Sequence, residues 1–138
     1  MKRVTLILAA FLAVAVITIA VVTNRKSRVQ YHPGEIYSVQ DRDGYKVAKI
    51  LAVDSTAVHI RLYKNAFPDR PRRVDVNTLI LGSIHDADGF GIGHLPLTAA
   101  TFSSWVPVLI MRTAVTQEEL EGYEEWKKSK GGAFGETN

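Results

Sequence analysis

Four residues of the types that bind metal ions are close to one another in sequence, in the second half of the chain. They are His85, Asp86, Asp88 and His94. Imidazole and carboxylate groups together suit zinc, manganese or iron, so this loop is a candidate metal site. The alternative is a polar connection in which the aspartates bond to the local backbone and the neighbouring glycines allow turns.

Two better-defined motifs are excluded for the same loop. The sequence DADG at 86–89 matches only the start of a calcium-binding loop, because the third carboxylate and the glutamate at position twelve are missing. The sequence GFGIG at 89–93 has the wrong spacing for a dinucleotide fingerprint, which needs G-x-G-x-x-G between a strand and a helix. We therefore predict no nucleotide cofactor.

A second candidate site is basic. Its members are Arg61, Lys64, Arg70, Arg72 and Arg73. Together these side chains could bind phosphate, lipid headgroups or an acidic protein. Asp69 and Asp75 interrupt the series, which favours a solvated loop over a binding patch.

Covalent catalysis finds little support in the sequence. The chain has no cysteine, which excludes disulfides, zinc–thiolate sites and a thiol nucleophile. Ser103 and Ser104 precede Trp105 without the G-x-S-x-G pattern of a nucleophile elbow. We predict a protein without catalytic activity, cofactor or small-molecule substrate. The alternative is a membrane-bound metal-dependent or hydrolytic enzyme that uses the loop from His85 to His94.

The longest feature of the sequence is an apolar run near its start. The nineteen residues from Val4 to Val22 contain no charge, proline or glycine. At about 1.5 Å per residue they form a helix of roughly 28 Å, close to the ~30 Å hydrocarbon core of a bilayer. The run predicts a single transmembrane helix that anchors the chain, with the lipid bilayer as a partner.

Basic residues stand on both sides of this run, Lys2 and Arg3 before it and Arg25, Lys26 and Arg28 after it. Long cationic side chains in such positions reach the lipid headgroups. A cleaved signal peptide is the alternative, but its apolar region normally spans 7–15 residues. The two flanks nearly balance, and a short basic tail before an anchor places the following domain outside the cytoplasm, in a bacterial periplasm.

The distribution of charge argues against nucleic-acid binding. The whole chain has a formal net charge of +3. Five of its 17 basic residues flank the apolar run, and all 14 acidic residues follow Val29. The rest of the chain therefore carries 12 basic and 14 acidic residues, a net charge of −2, so the basicity belongs to the membrane interface.

After a linker at 29–34, the apolar pattern changes to a period of two residues. Strands are predicted at 35–39, 45–53, 57–63, 78–84 and 106–115, with a turn at 41–44 and a long exposed loop at 64–77. His59 is predicted on the solvated face of its strand. The segment 95–105 is ambiguous and could contain a short helix. We predict a small antiparallel β domain over 35–115.

The last predicted element is a helix over 116–130. Thr116 and Glu119 have the spacing of a capping box. Glutamates dominate the first half of the segment and lysines the second, which complements the helix dipole. Gly131 and Gly132 end the helix, and 131–138 is predicted to be a flexible tail.

These elements predict an N-terminal transmembrane anchor over 1–28, then a small mainly-β domain with a C-terminal helix packed on or beside it. The domain is expected to be an SH3-like or bent antiparallel sheet or barrel. The sequence GEIY at 34–37, followed by a hairpin, is similar to the start of SH3-like small barrels. This resemblance implies a fold and no function.

The leading hypothesis is a single-pass membrane protein that presents a small β-rich domain to another membrane or envelope protein. Tethering raises the effective concentration of partners in the same membrane, so a weak interface suffices. Exposed aromatic residues near Phe90 or Trp126 would mark such a surface. A third hypothesis is a cytoplasmic-facing regulator that binds lipid or nucleic acid through the loop from Arg70 to Arg73.

Overall fold

The computed structural model describes residues 29–135 of the 138-residue chain. The predicted transmembrane helix over 4–22 and its basic flanks lie outside these residues, as do the last three positions. From Tyr31 onward the chain forms a compact unit of its own. Within 29–135, no helix has the length and apolar character needed to cross a bilayer.

The compact unit is built on a five-stranded antiparallel sheet. Its strands are β1 (Glu35–Asp41), β2 (Gly44–Val53), β3 (Val58–Leu62), β4 (Ile92–Leu97) and β5 (Val108–Arg112). Their order across the sheet is β4-β3-β2-β1-β5. The second strand is therefore central, the first is an interior strand, and the last strand returns to lie beside the first. The predicted small mainly-β domain is confirmed.

The first three strands form two tight hairpins, as the turn residues predict. Arg42 and Asp43 connect β1 to β2, with Asp41 directly opposite Gly44. In the second hairpin, the Asp54 carboxylate accepts hydrogen bonds from the backbone N–H groups of Thr56 (2.8 Å) and Ala57 (2.9 Å). An aspartate that bonds to its own turn in this way stabilises the reversal of the chain.

The prediction of a strand at 78–84 is wrong. The chain forms a 3₁₀ turn at Val76–Thr78 and then continues without regular structure. The Asn65 side chain takes the place of a neighbouring strand, because it accepts a hydrogen bond from Ile80 N and donates one to Thr78 O. Leu79 and Leu81 of this irregular segment pack against the sheet, whereas Ile80 and Ile84 are exposed.

The two faces of the sheet bury separate apolar clusters. One consists of Tyr31, Tyr37, Val39, Ala48, Ile50, Val58, Ile60, Leu97 and Phe102. The other contains Ile36, Val47 and Tyr63, against which Phe67, Val74, Leu79, Leu81, Ile110 and Met111 pack. The loop predicted at 64–77 is therefore less exposed than expected, since Phe67 and Val74 cover one face.

The ambiguous segment 95–105 contains both the end of β4 and a short helix. Helix α1 (Ala99–Ser104) begins after Thr98, whose hydroxyl accepts a hydrogen bond from Thr101 N. Its Phe102 side chain is fully buried and contacts the rings of Tyr31 and Tyr37 edge to face. Such edge-to-face packing is the favoured geometry for aromatic rings.

Helix α2 (Gln117–Ser129) follows the sequence prediction closely. The Thr116 hydroxyl accepts from Glu119 N, and the Glu119 carboxylate accepts from Thr116 N, which completes the capping box. Lys130 ends the helix in the left-handed conformation, and Gly131 N then donates to Trp126 O. The helix lies against β2 and β4.

Strand β5 is attached to β1 through a close approach at Gly34. Thr113 N donates a 2.9 Å hydrogen bond to Gly34 O. Gly34 has a φ of 86°, and a Cβ atom there would lie only 2.1 Å from Thr113 O. Glycine is therefore required for the last strand to reach its position beside the first.

Candidate functional site

The four residues of the predicted metal loop are not brought together. Asp86 and Asp88 each accept a 2.8 Å hydrogen bond from Lys64 Nζ, and His85 is exposed beside them. His94 instead lies on β4 and contacts His59. Within residues 29–135, no group of three or more His, Cys, Asp or Glu side chains is arranged to hold a metal ion.

The five predicted basic residues have different environments. Lys64 pairs with the two aspartates just described, and Arg61 Nη1 lies 3.9 Å from the Glu119 carboxylate. Arg72 and Arg73 are exposed. The predicted patch is therefore divided, with two members committed to ion pairs and two facing solvent.

Arg70, the fifth member, has a structural position. Its Nη1 atom donates to Ser38 O (3.1 Å), Ser38 Oγ (3.0 Å) and Val106 O (3.0 Å). Its guanidinium lies over the Tyr45 ring, 4.5 Å from the centroid. Arg70 thus connects the loop after β3 to β1 and to the start of β5.

Three polar side chains from different parts of the fold contact one another in series. The Asp54 carboxylate lies 2.9 Å from His59 Nε2, and His59 Nδ1 lies 3.0 Å from His94 Nε2. Asp54 accepts, so His59 carries a proton on Nε2. The contact between His59 Nδ1 and His94 Nε2 requires that one nitrogen donates and the other accepts.

Helix α2 covers the two histidines of this series. The rings of Tyr123 and Trp126 lie 4.6 Å and 4.5 Å from the His59 ring centroid. Gly122 allows the helix to approach, because a Cβ atom there would lie 2.5 Å from His94 Cβ. His59 is consequently 0% exposed, and its prediction as a surface residue is wrong because α2 covers that face of the sheet.

Two of these three side chains, Asp54 and His94, have lowered pKa values. Burial and the neighbouring His59 lower the pKa of His94 to about 4. Burial alone would raise the pKa of Asp54, but hydrogen bonds from Thr56, His59 and Ala57 hold it well below its ordinary value. An ionised Asp54 therefore faces His59, beyond which His94 is neutral.

The lowered pKa of His94 predicts a loss of stability in mild acid. Unfolding returns the imidazole to its ordinary pKa of 6.5, so the unfolded chain binds more protons between pH 6.5 and 4. The free energy of unfolding therefore falls as pH decreases through this window. We expect a loss of about 1 kcal/mol between pH 7.5 and 5, less than the full shift would give because the imidazole is partly solvated.

Urea unfolding of the full chain in a non-ionic detergent, followed by tryptophan fluorescence, measures this loss. Both tryptophans of the chain, Trp105 and Trp126, lie in the compact unit. The variant His94→Gln should flatten the profile between pH 7.5 and 5, whereas His85→Gln should leave it unchanged. A His94→Gln profile that parallels the wild type would show that another group titrates.

A strip of apolar side chains is exposed along the start of β5. Val106, Val108 and Leu109 are 51%, 47% and 42% exposed. Strand β5 is at the edge of the sheet and pairs only with β1 among the described strands. We call these three residues the β5 strip. Sheet edges and contiguous exposed apolar residues are both typical of surfaces that bind other molecules.

The strip begins at a strained residue. Val106 has a φ of 51°, a conformation that is unfavourable for a β-branched side chain. Its carbonyl accepts from Arg70, and the preceding carbonyl, Trp105 O, accepts from Gln40 N at 2.8 Å. These hydrogen bonds hold the strained backbone and turn the Val106 side chain outward.

One cleft includes part of the strip, and a larger one is lined by Trp105, the residue before it. The larger, of about 680 Å³, also includes Ser104, Val39, Leu62 and Lys46 in its lining. The smaller, of about 390 Å³, is lined by Arg70, Pro71, Arg72, Val108 and Leu109. We call the smaller one the Arg72 cleft. Sequence reasoning named its two arginines but missed the strip, because a continuous apolar, β-branched run such as 106–115 predicts a strand without showing which of its side chains stay exposed.

Exposed aromatic residues near Phe90 or Trp126 were expected to mark a partner surface, and one of these two is exposed. Phe90 is 48% exposed in the loop before β4. Trp126 is half-buried against His59, and its indole N–H donates to Gly132 O. Of the two aromatic residues, only Phe90 presents a largely open ring.

No family model, curated protein or solved structure matches this chain.

Proposed function

We propose that the compact unit is a non-catalytic protein-interaction domain, which the apolar run from Val4 to Val22 holds at a membrane. In this proposal the chain crosses the bilayer once and the domain lies outside the cytoplasm. The observation that carries the proposal is the β5 strip. Its three large apolar side chains occur within four consecutive positions and are about half exposed.

The arrangement of the domain supports binding more than catalysis. His59, which connects Asp54 to His94, is packed beneath helix α2 and has no exposed surface. By contrast, Val108 and Leu109 of the β5 strip line an open cleft that also contains two arginines. Burial of exposed apolar area contributes about 25 cal/mol per Å², so such a strip favours association with a partner.

We also infer that the domain has an SH3-like arrangement. The strand order β4-β3-β2-β1-β5 brings the last strand beside the first. Helix α1 lies between β4 and β5 along the chain. Consecutive pairing of four strands, with a short helix before a returning fifth strand, supports this inference. It concerns the fold and carries no ligand with it.

Site-specific photo-crosslinking in native membranes tests the interaction. A photoreactive residue placed at Val108 of the full chain should crosslink to one protein species, and the added substitution Leu109→Asp should abolish that product. The matched control position is Val53, which is 40% exposed and lies outside the strip. Equal crosslinking at both positions, or none at Val108, would overturn the proposal.

The membrane part of the proposal has a separate test. The full chain should stay with the membrane after alkaline carbonate extraction, and deletion of 1–28 should release it. A reporter that is active only outside the cytoplasm, attached after Asn138, should be active. Release of the full chain by carbonate would contradict the anchor, and activity of only a cytoplasmic reporter would reverse the orientation.

A further inference from the structure

We propose that the Arg72 cleft binds a short segment of a partner protein in which an apolar side chain stands next to a carboxylate. This inference rests on the proposed interaction function and specifies the chemistry that the surface recognises. We infer the ligand from the residues that line the cleft, from their charges, and from the hydrogen bonds that Arg70 already makes within the domain.

The lining combines apolar and cationic side chains. Val108, Leu109 and Pro71 are apolar, and Arg70 and Arg72 are cationic. No carboxylate is among the lining residues. A volume of about 390 Å³ lies at the small end of the usual range for ligand pockets, which is roughly 300–1,000 Å³. It therefore suits one or two side chains and not a whole folded surface.

Arg72 is the residue that recognises the carboxylate. Arg70 Nη1 already donates to three oxygen atoms of Ser38 and Val106, and its guanidinium also stacks on Tyr45. Arg72 lies two positions further along the chain and is exposed. A guanidinium binds a carboxylate through two parallel hydrogen bonds, which lysine cannot reproduce.

A second copy of the chain is a poorer occupant than an acidic segment. A symmetric dimer through this cleft would bring the same surface of both copies together. Each copy would then present the guanidinium groups of Arg70 and Arg72 to those of the other, with no lining carboxylate to compensate. Like charges in such positions are destabilising. The charge of the cleft thus favours a ligand of opposite sign.

Binding of model peptides to the full chain in non-ionic detergent tests the inference. The probe is a capped, fluorescein-labelled hexapeptide of alternating glutamate and valine, and the control peptide replaces each glutamate with lysine. Fluorescence anisotropy should show binding of the acidic peptide only. The charge reversal Arg72→Glu should weaken that binding by at least about tenfold. Arg73→Glu, an equal charge change at the next exposed position, should have less than about a twofold effect.

Each possible outcome decides the question. Equal loss with Arg72→Glu and Arg73→Glu would show general charge attraction and overturn the inference, as would binding of both peptides. Binding only to vesicles that contain phosphatidylglycerol would identify a lipid surface instead, and a concentration-dependent dimer that Arg72→Glu strengthens would identify a second copy.

If the acidic peptide does not bind but Val108 still crosslinks to a neighbour, the segment chemistry is wrong and the proposed function stands. If the Val108 crosslink is also absent, the proposed function fails.

Discussion

Replacing Lys49 with methionine is expected to reduce the free energy of unfolding by about 3–5 kcal/mol, the usual cost of leaving one member of a buried ion pair alone. Lys49 Nζ donates to both oxygens of the Glu119 carboxylate, at 2.9 Å and 2.8 Å, and to Ala114 O at 2.7 Å. The Lys49 and Glu119 side chains are only 6% and 11% exposed.

The large expected effect comes from the group left behind. Burial raises the pKa of Glu119, and hydrogen bonds from Lys49 and Thr116 more than offset this, so the carboxylate is ionised. Without Lys49 the buried carboxylate keeps only Arg61, 3.9 Å away, as a cationic partner, and Ala114 O loses the hydrogen bond from Lys49. Because Glu119 also caps helix α2 through Thr116 N, the loss affects the docking of the helix as a whole.

Two variants separate this explanation from simple loss of packing. The double variant Lys49→Met with Glu119→Gln removes the unpaired charge and should recover part of the stability that Lys49→Met loses. The matched control is the pair of Lys128 and Glu125, which lie 2.7 Å apart but are 70% and 72% exposed; Lys128→Met should cause no measurable change. Urea unfolding monitored by tryptophan fluorescence measures all three. Equal stability of the single and double variants would contradict the buried-charge explanation.

Replacing His59 with alanine is expected to cost about 3 kcal/mol of stability, from loss of a buried ring and of two hydrogen bonds. The ring is 0% exposed and contacts both Tyr123 and Trp126. Its removal leaves a cavity beneath α2 and separates Asp54 from His94. The Trp126 indole should then become more solvated, which shifts its fluorescence emission to longer wavelength.

The matched control for this prediction is His85→Ala. His85 is exposed, and in the hydrogen bond to Ser83 Oγ its backbone N–H is the donor, so its imidazole should be dispensable for stability. The substitution Trp105→Phe in every background leaves Trp126 as the single fluorophore. If His59→Ala and His85→Ala unfold at the same urea concentration with the same emission maximum, His59 does not support α2.

Both large predictions concern contacts that hold helix α2 on the sheet. The helix brings a buried carboxylate to Lys49 and two aromatic rings to His59. Polar and aromatic contacts of this kind depend on geometry more strongly than general apolar packing does. They attach helix α2 to the sheet in a single orientation.

Much of the fold was predictable because its signals are local. Alternating apolar residues identified the β1, β2 and β3 strands, and the turn at 41–44 identified the first hairpin. The capping box of Thr116 and Glu119 located the start of α2. The strand at 78–84 was mispredicted because its backbone groups have irregular partners. The Asn65 side chain pairs with Thr78 O and Ile80 N, and Lys64 N and Gly91 N donate to Ile80 O and Leu81 O.

The candidate site was less predictable because its contacts join residues that are far apart in the sequence. His85, Asp86, Asp88 and His94 are close in sequence, but the two aspartates turn to Lys64 and His94 turns to His59. Among the basic residues, Arg70 donates hydrogen bonds to Ser38 and Val106, whereas Arg72 is exposed and lines a cleft. Sequence spacing within a loop does not determine which side chains converge, since the partners come from distant strands.

By itself, the sequence determined the periodicity of the strands, the start and end of the last helix, and the division of charge between the apolar run and the rest of the chain. These properties depend on residues within a few positions of one another. Only the tertiary structure decided that β5 is an edge strand with an exposed apolar strip, that His59 is buried, and that Lys49 meets Glu119, 70 positions away. The physical reason is that burial and edge position are set by which elements pack together, and residues far apart in the chain make those contacts.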